Sequence, residues 1–135
     1  MRGPPSFDYA IIRVVPVVAR EEFLNAGVIL YSAQLDFLDA VIALDEARLQ
    51  AVFPDVDLEV IRGHLAAIPK ICAGGRDSGP IGQLSRKERW YWLVAPRSTQ
   101  LQVSPVHSGI SERPAEAMQR ILGECVSIKT LPGAR

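Results

Sequence analysis

The polar residues that could do chemistry in this chain stand in three places. Arg13 lies inside a run of aromatic and β-branched residues from Tyr9 to Val18. In strand alternation it shares a face with Tyr9, Ile11, Val15 and Val17. A guanidinium on such a face needs a partner or water, because an isolated buried charge is costly. It is either a fixed cation for an anionic ligand, half of an ion pair with Glu21, Glu22 or Asp39, or on a wetted side of the sheet. Arg97, Ser98 and Thr99 come second, following Pro96. An arginine beside two hydroxyls in a turn can hold a phosphate or carboxylate through charge-assisted hydrogen bonds. The same residues also make an ordinary helix C-terminus and turn. His107, in Ser104-Pro105-Val106-His107-Ser108-Gly109, comes third and is the candidate for catalysis. As a general base it needs an orienting acid and a nucleophile within reach. Ser98, Ser104 and Ser108 are near in sequence, but there is no Gly-x-Ser-x-Gly elbow.

These residues act together only if a fourth strand pairs beside the first. Arg13, Arg97, Ser98, Thr99 and His107 then converge on one anion. A separate cluster, Arg86, Lys87 and Arg89 with Trp90, Tyr91 and Trp92, mixes basic and aromatic residues. Exposed rings could stack on bases. Ser85 and Glu88 have the spacing of a capping box, which places the rings toward the core and the charges toward water. Arg20-Glu21-Glu22 is a charged loop, and Asn25 and Gly27 suit positive φ in a turn after it.

Other chemistries lack their signatures. Cys72 and Cys125 are far apart and neither has a ligand spacing, so no metal is expected. Both sit in apolar, helix-like segments that suit buried reduced thiols. The stretch Ala73 to Pro80 is glycine-rich but has no Gly-Lys-Ser/Thr, so it reads as a connector and no cofactor is expected. His64 reads as a surface or edge residue on the second helix.

The elements that position these residues follow from periodicity. The chain has 135 residues, 48% of them hydrophobic, enough for one core. A single domain is expected over residues 8–126, with flexible tails at 1–7 and 127–135. Three strands, Tyr9–Val18, Val28–Ala33 and Phe37–Leu44, form an antiparallel meander joined by short connections. The first is apolar on both faces. Asp45 caps a short helix ended by Pro54. Asp55 or Asp57 caps a second, with Pro69 kinking or ending it. A third helix runs from Arg86 to Ala95, a fourth strand from Gln100 to Val106, and a last helix opens at Pro114. The fold class is α+β: an antiparallel or mixed sheet of about four strands, in the order β-β-β-α-α-α-β-α, with helices packed on one face.

The fifteen basic and fifteen acidic residues cancel. A chain that wraps nucleic acid usually carries a basic excess, which disfavours that class here. Low net charge favours self-association or a protein partner. Neither a signal peptide nor a long apolar run is seen, so a cytoplasmic protein without membrane contact is expected.

Several phrases also carry a family resemblance. Tyr9-Ala-Ile-Ile-Arg-Val-Val-Pro16, Arg20-Glu-Glu-Phe-Leu-Asn-Ala-Gly-Val-Ile-Leu-Tyr31, Leu44-Asp-Glu-Ala-Arg-Leu49, Ala95-Pro-Arg-Ser-Thr99 and Ser104-Pro-Val-His-Ser-Gly109 resemble the bacterial domain-of-unknown-function family three-zero-three-seven. The resemblance spans roughly residues 8–126. It names no catalytic residue. It implies an association with kinases resembling the HipA toxin kinase, hence a protein partner. Three functions stand: a non-catalytic accessory module, possible within a toxin–antitoxin-type system; a small enzyme or ligand-binding domain with an anion site; and nucleic-acid binding through the Arg86–Trp92 helix.

Overall fold

The computed structural model describes residues 3–127. Three strands open the fold as a meander: β1 (Ser6–Val14), β2 (Leu24–Ser32) and β3 (Phe37–Ile42). Then come α1 (Glu46–Val52), α2 (Leu58–Ala73), α3 (Gly79–Gly82) and α4 (Arg86–Val94). β4 (Leu101–Val103), β5 (His107–Ile110) and α5 (Pro114–Cys125) complete the order. The sheet runs β3-β2-β1-β4, and β5 also pairs with β1. Every pairing is antiparallel. The fold is therefore α+β on an open antiparallel sheet.

The sheet has five strands rather than about four. The expected fourth strand forms only over its first half, as β4 against Ile12–Val14, and a further strand beyond its expected end, β5, continues the same row against Ser6–Tyr9. Pro105 sits at the break, where it has no N–H to give the ladder. Ser104 bridges the interruption. Its N–H donates to the Ile11 carbonyl at 2.9 Å, and its hydroxyl accepts from the Ile11 N–H at 2.8 Å. A side-chain oxygen thus stands in for a missing strand carbonyl.

Helices cover both faces rather than one. Ile12, Val14 and Ile29 pack under α1, α2 and α4 with Leu49, Ile61, Leu65, Trp90 and Leu93. Phe7, Ile11, Val28 and Leu30 face the other way, against Ala117, Met118 and Ile121 of α5. The cause lies in β1 and β2, whose side chains are apolar at both parities. Each large one gains about 1.5–3 kcal/mol on burial, so neither face can be left to water.

Local signals behave as their chemistry requires. Asp45 accepts from the Arg48 N–H at 3.0 Å and Asp57 from Val60 at 3.2 Å, each capping a helix. Ser85 and Glu88 form the reciprocal capping box. Pro69 does not end α2, which continues to Ala73. The Ala73–Pro80 stretch is not a plain loop, since a 3-10 turn at Arg76–Ser78 leads into α3. β1 starts at Ser6, inside the expected tail, because Phe7 is buried against α5. Residues 1–2 and 128–135 of the expected tails lie outside the described residues. Asn25 and Gly27 lie within β2, and neither has positive φ. Gly27 is required by close approach instead, as a Cβ there would come within 2.4 Å of the Val41 carbonyl oxygen. Cys72 is buried as expected, whereas Cys125 at the end of α5 is exposed.

Candidate functional site

The fourth strand does pair beside the first, but the candidate residues divide among three places. Backbone parity explains the division. Arg13 pairs with Gln102, while Val15 and Ile11 bond to Gln100 and Ser104. Residues 100, 102 and 104 therefore turn their backbone groups toward β1. Leu101 and Val103 turn theirs outward, to an edge that no described strand pairs.

Arg97 and Thr99 belong to the first place, a groove of about 740 Å³. Its walls are Ala67, Ile68 and Ile71 of α2, Trp92 and Leu93 of α4, and Leu101 and Val103 of β4. Arg97 lies at its wall with its guanidinium 4.4 Å from the Trp92 ring centroid. The guanidinium also donates to the Trp92 carbonyl. Partial burial pulls its pKa down from the ordinary arginine value. The Thr99 hydroxyl donates to the Leu101 carbonyl at 2.8 Å, which ties the turn to the strand. His64, exposed on α2, also lines this groove.

Arg13 and Ser98 line a second cleft, of about 460 Å³, with Val15, Glu21, Phe23 and Gln102. Arg13 lies on the Tyr9–Ile11 face of β1, beyond α5. Its guanidinium stacks 4.1 Å from the Phe23 ring centroid. Among the described residues it makes no ion pair, so the pairings with Glu21, Glu22 and Asp39 do not form. Its Nε is buried without a hydrogen bond, and so is Oδ1 of its cross-strand neighbour Asn25. The Asn25 amide donates to the Cys125 carbonyl at 3.0 Å, joining β2 to the end of α5. On either side of Glu21 in the chain, Arg20 pairs with Glu22 at 2.5 Å. Glu21 is left unpaired among the described residues and holds a left-handed backbone at φ 58°. That conformation costs a side-chain-bearing residue about 1 kcal/mol.

His107 stands apart. It opens β5 rather than following a strand end, and pairs with Tyr9, their ring centroids 5.4 Å apart. Along β1, Tyr9 is four residues from Arg13, roughly 13 Å at the usual strand rise. The hydroxyls near His107 are engaged elsewhere: Ser108 donates to Asp8 at 2.6 Å and Ser104 to the Pro105 carbonyl at 2.9 Å. Neither a shared Arg13–Arg97–His107 anion site nor a serine–histidine pair is assembled.

The basic-aromatic helix is also divided. Trp90 is 3% exposed and stacks on Tyr31, whereas Tyr91 and Trp92 are 59% and 38% exposed. Arg89 is not solvated but buried, with donors on the Ile71, Cys72 and Leu84 carbonyls. Arg86 lies 3.5 Å from Asp36. Lys87 stands 6.0 Å from the Tyr91 ring centroid, while the Trp92 ring is covered by Arg97 from outside the helix.

Sequence reasoning missed Gln102 and Phe23. The signal for Gln102 was the alternation of Leu101, Gln102 and Val103, which sets the glutamine opposite the two apolar residues. Phe23 carried no signal, because its contact with Arg13 depends on how the 18–24 turn folds back. Among the described residues no cluster of histidine, cysteine and acidic side chains could hold a metal, and no helix is long and apolar enough to cross a membrane.

No curated protein and no solved structure matches the chain. Residues 9–126 match a family described as a protein of unknown function, DUF3037, and the chain belongs to that family.

Proposed function

We propose that this DUF3037 member is a non-catalytic accessory module that binds an extended segment of a partner protein. The observation that carries this reading is the apolar groove running beside the unpaired outer edge of β4. An exposed strand edge offers main-chain hydrogen bonds, and an adjoining apolar groove receives alternate side chains. β4 is three residues long and offers the outward groups of Leu101 and Val103, with the Leu101 carbonyl shared with the Thr99 hydroxyl, so the segment is held over roughly 10 Å of strand. Arg97 sets the charge. It sits on the groove wall without an acidic partner among the described residues, so the segment carries a carboxylate beside its apolar residues. The module acts in the cytoplasm, and a kinase resembling HipA is the first candidate partner to test.

The test selects peptides from a random library on the full chain and also purifies the protein from its native host. Selected peptides are expected to alternate apolar residues and to share an acid. Ala67→Glu, which adds a carboxylate to the groove without touching the core, should weaken them at least about tenfold. Arg97→Ala should erase the preference for the acid. Peptides that bind the Ala67→Glu variant equally well would refute the groove. A native partner insensitive to both changes would place the interface elsewhere.

A further inference from the structure

We infer that the Arg13 cleft is a second binding site, for a small molecule carrying both a carboxylate and an ammonium group, of the α-amino acid class. The cleft lies on the opposite face of β4 from the groove, so it does not depend on the accessory-module reading.

The two charges in it are the ones that nothing else occupies. Arg13 and Glu21 line one cavity of about 460 Å³, and neither makes an ion pair among the described residues. The charges that flank Glu21 in the chain, Arg20 and Glu22, pair with each other. Glu21 is held in a left-handed conformation within its turn, its N–H donating to the Val18 carbonyl at 3.1 Å. Such conformations cluster at ligand sites.

The cleft also orients its cation. Phe23 covers one face of the guanidinium, so the hydrogen-bonding edge remains for a ligand. The Arg13 Nε–H is buried and unbonded, so the terminal Nη groups are the donors a ligand in the cleft would meet. Oδ1 of the cross-strand neighbour Asn25 is buried and unbonded as well, and as a neutral amide it does not offset the charge of the guanidinium. Ser98 and Gln102 add short polar groups to the wall, and the Gln102 amide is turned by its bond to the Thr99 carbonyl at 3.0 Å.

One cation and one anion in a single cleft discriminate among ligands. A dianionic phosphate meets Arg13 but is repelled by Glu21. A plain carboxylate satisfies Arg13 and leaves Glu21 unmatched. A zwitterion bridges both, with its carboxylate on Arg13 and its ammonium on Glu21. The cavity is within the size range of small-ligand sites.

The test titrates the isotope-labelled full chain with each standard amino acid, followed by amide chemical shifts. Matched probes are the deaminated carboxylate, the amino acid amide and inorganic phosphate. At least one free amino acid is expected to saturate shifts at Phe23, Ser98 and Gln102. Arg13→Gln should weaken it at least about tenfold. Glu21→Gln should weaken the amino acid by a similar factor while leaving the deaminated carboxylate no weaker, or tighter, because a repelling charge is removed. Ser98→Ala, remote from the core, serves as a second variant with retained fold. The inference is overturned if no amino acid saturates at millimolar concentration. It is overturned equally if phosphate binds better, or if Glu21→Gln weakens both probes alike.

Discussion

Arg89 is buried and Arg13 half-buried, and the two arginines are used in opposite ways. Arg89 is 8% exposed. It reaches from α4 to the end of α2, donating to Ile71 at 2.9 Å and Cys72 at 2.5 Å, and to Leu84 at 3.1 Å. The last carbonyls of a helix have no partner within the helix, and the helix dipole favours a cation beside them. Arg89 supplies both donors and charge. Gly74 closes over it, since a Cβ there would come within 2.9 Å of Arg89 Nη1. Arg13 has no such carbonyl set, only an aromatic ring on one face and an open cleft on the other. An arginine with its donors matched by main-chain oxygens is part of the frame. One with a ring beneath it and unmet donors is a candidate for a ligand.

The largest effect that tests this contrast is on stability. Arg89→Met should lower the unfolding free energy by about 3 kcal/mol, because it leaves buried carbonyls without donors. Urea denaturation measures it directly. Gly74→Ala should cost more than about 1 kcal/mol in the same assay, since it adds a Cβ at φ 70° against the guanidinium. A loss below about 1 kcal/mol for Arg89→Met would erase the distinction between the two arginines.

A chemical readout sharpens it. Burial, then the charge of Asp39, pushes the Cys72 thiol up to about 12, while Arg89 pulls it back slightly. At pH 8 roughly one Cys72 thiol in ten thousand is then ionised. Alkylation should therefore modify exposed Cys125 first and spare Cys72 in the folded protein. Arg89→Met frees the end of α2 and should let Cys72 react without global unfolding, as read by mass spectrometry of timed samples. The folded thiol holds its proton to higher pH than the unfolded one, whose ordinary value is 9.0. Its contribution to stability is therefore complete below about 9 and is lost as pH rises toward 12.

How far each region was legible in the sequence follows the same division. The caps at Asp45, Asp57 and Ser85–Glu88 were legible because donor and acceptor lie three residues apart. The meander was legible because its connections are short. The second helical layer was implied by the two-sided apolar pattern of β1, although one covering layer was assigned. β5 was hidden, being only four residues long, mostly exposed and cut off by Pro105. Arg89 was misjudged because a capping box fixes where a helix starts, not which side chains meet a neighbour 17 or 18 residues away. The Arg13 cleft was half legible: alternation gave the face of the arginine, while Phe23 and the free Glu21 depend on a turn whose shape no periodicity encodes.

The smallest expected effect bears most directly on Arg13. Arg13→Gln removes a charge from the middle of the sheet, yet no ion pair among the described residues is lost with it. What is lost is the stack on Phe23, worth about 0.5–1 kcal/mol where partly exposed. The change in unfolding free energy should therefore stay below about 1 kcal/mol, and a double-mutant cycle with Phe23→Leu should recover most of it as coupling. A loss of more than about 2 kcal/mol would mean that the guanidinium holds the strand as Arg89 holds its helix. A small loss joined to a large change in ligand binding is the signature of a residue placed for something outside the chain. Only Arg13, of the two, has the geometry to give it.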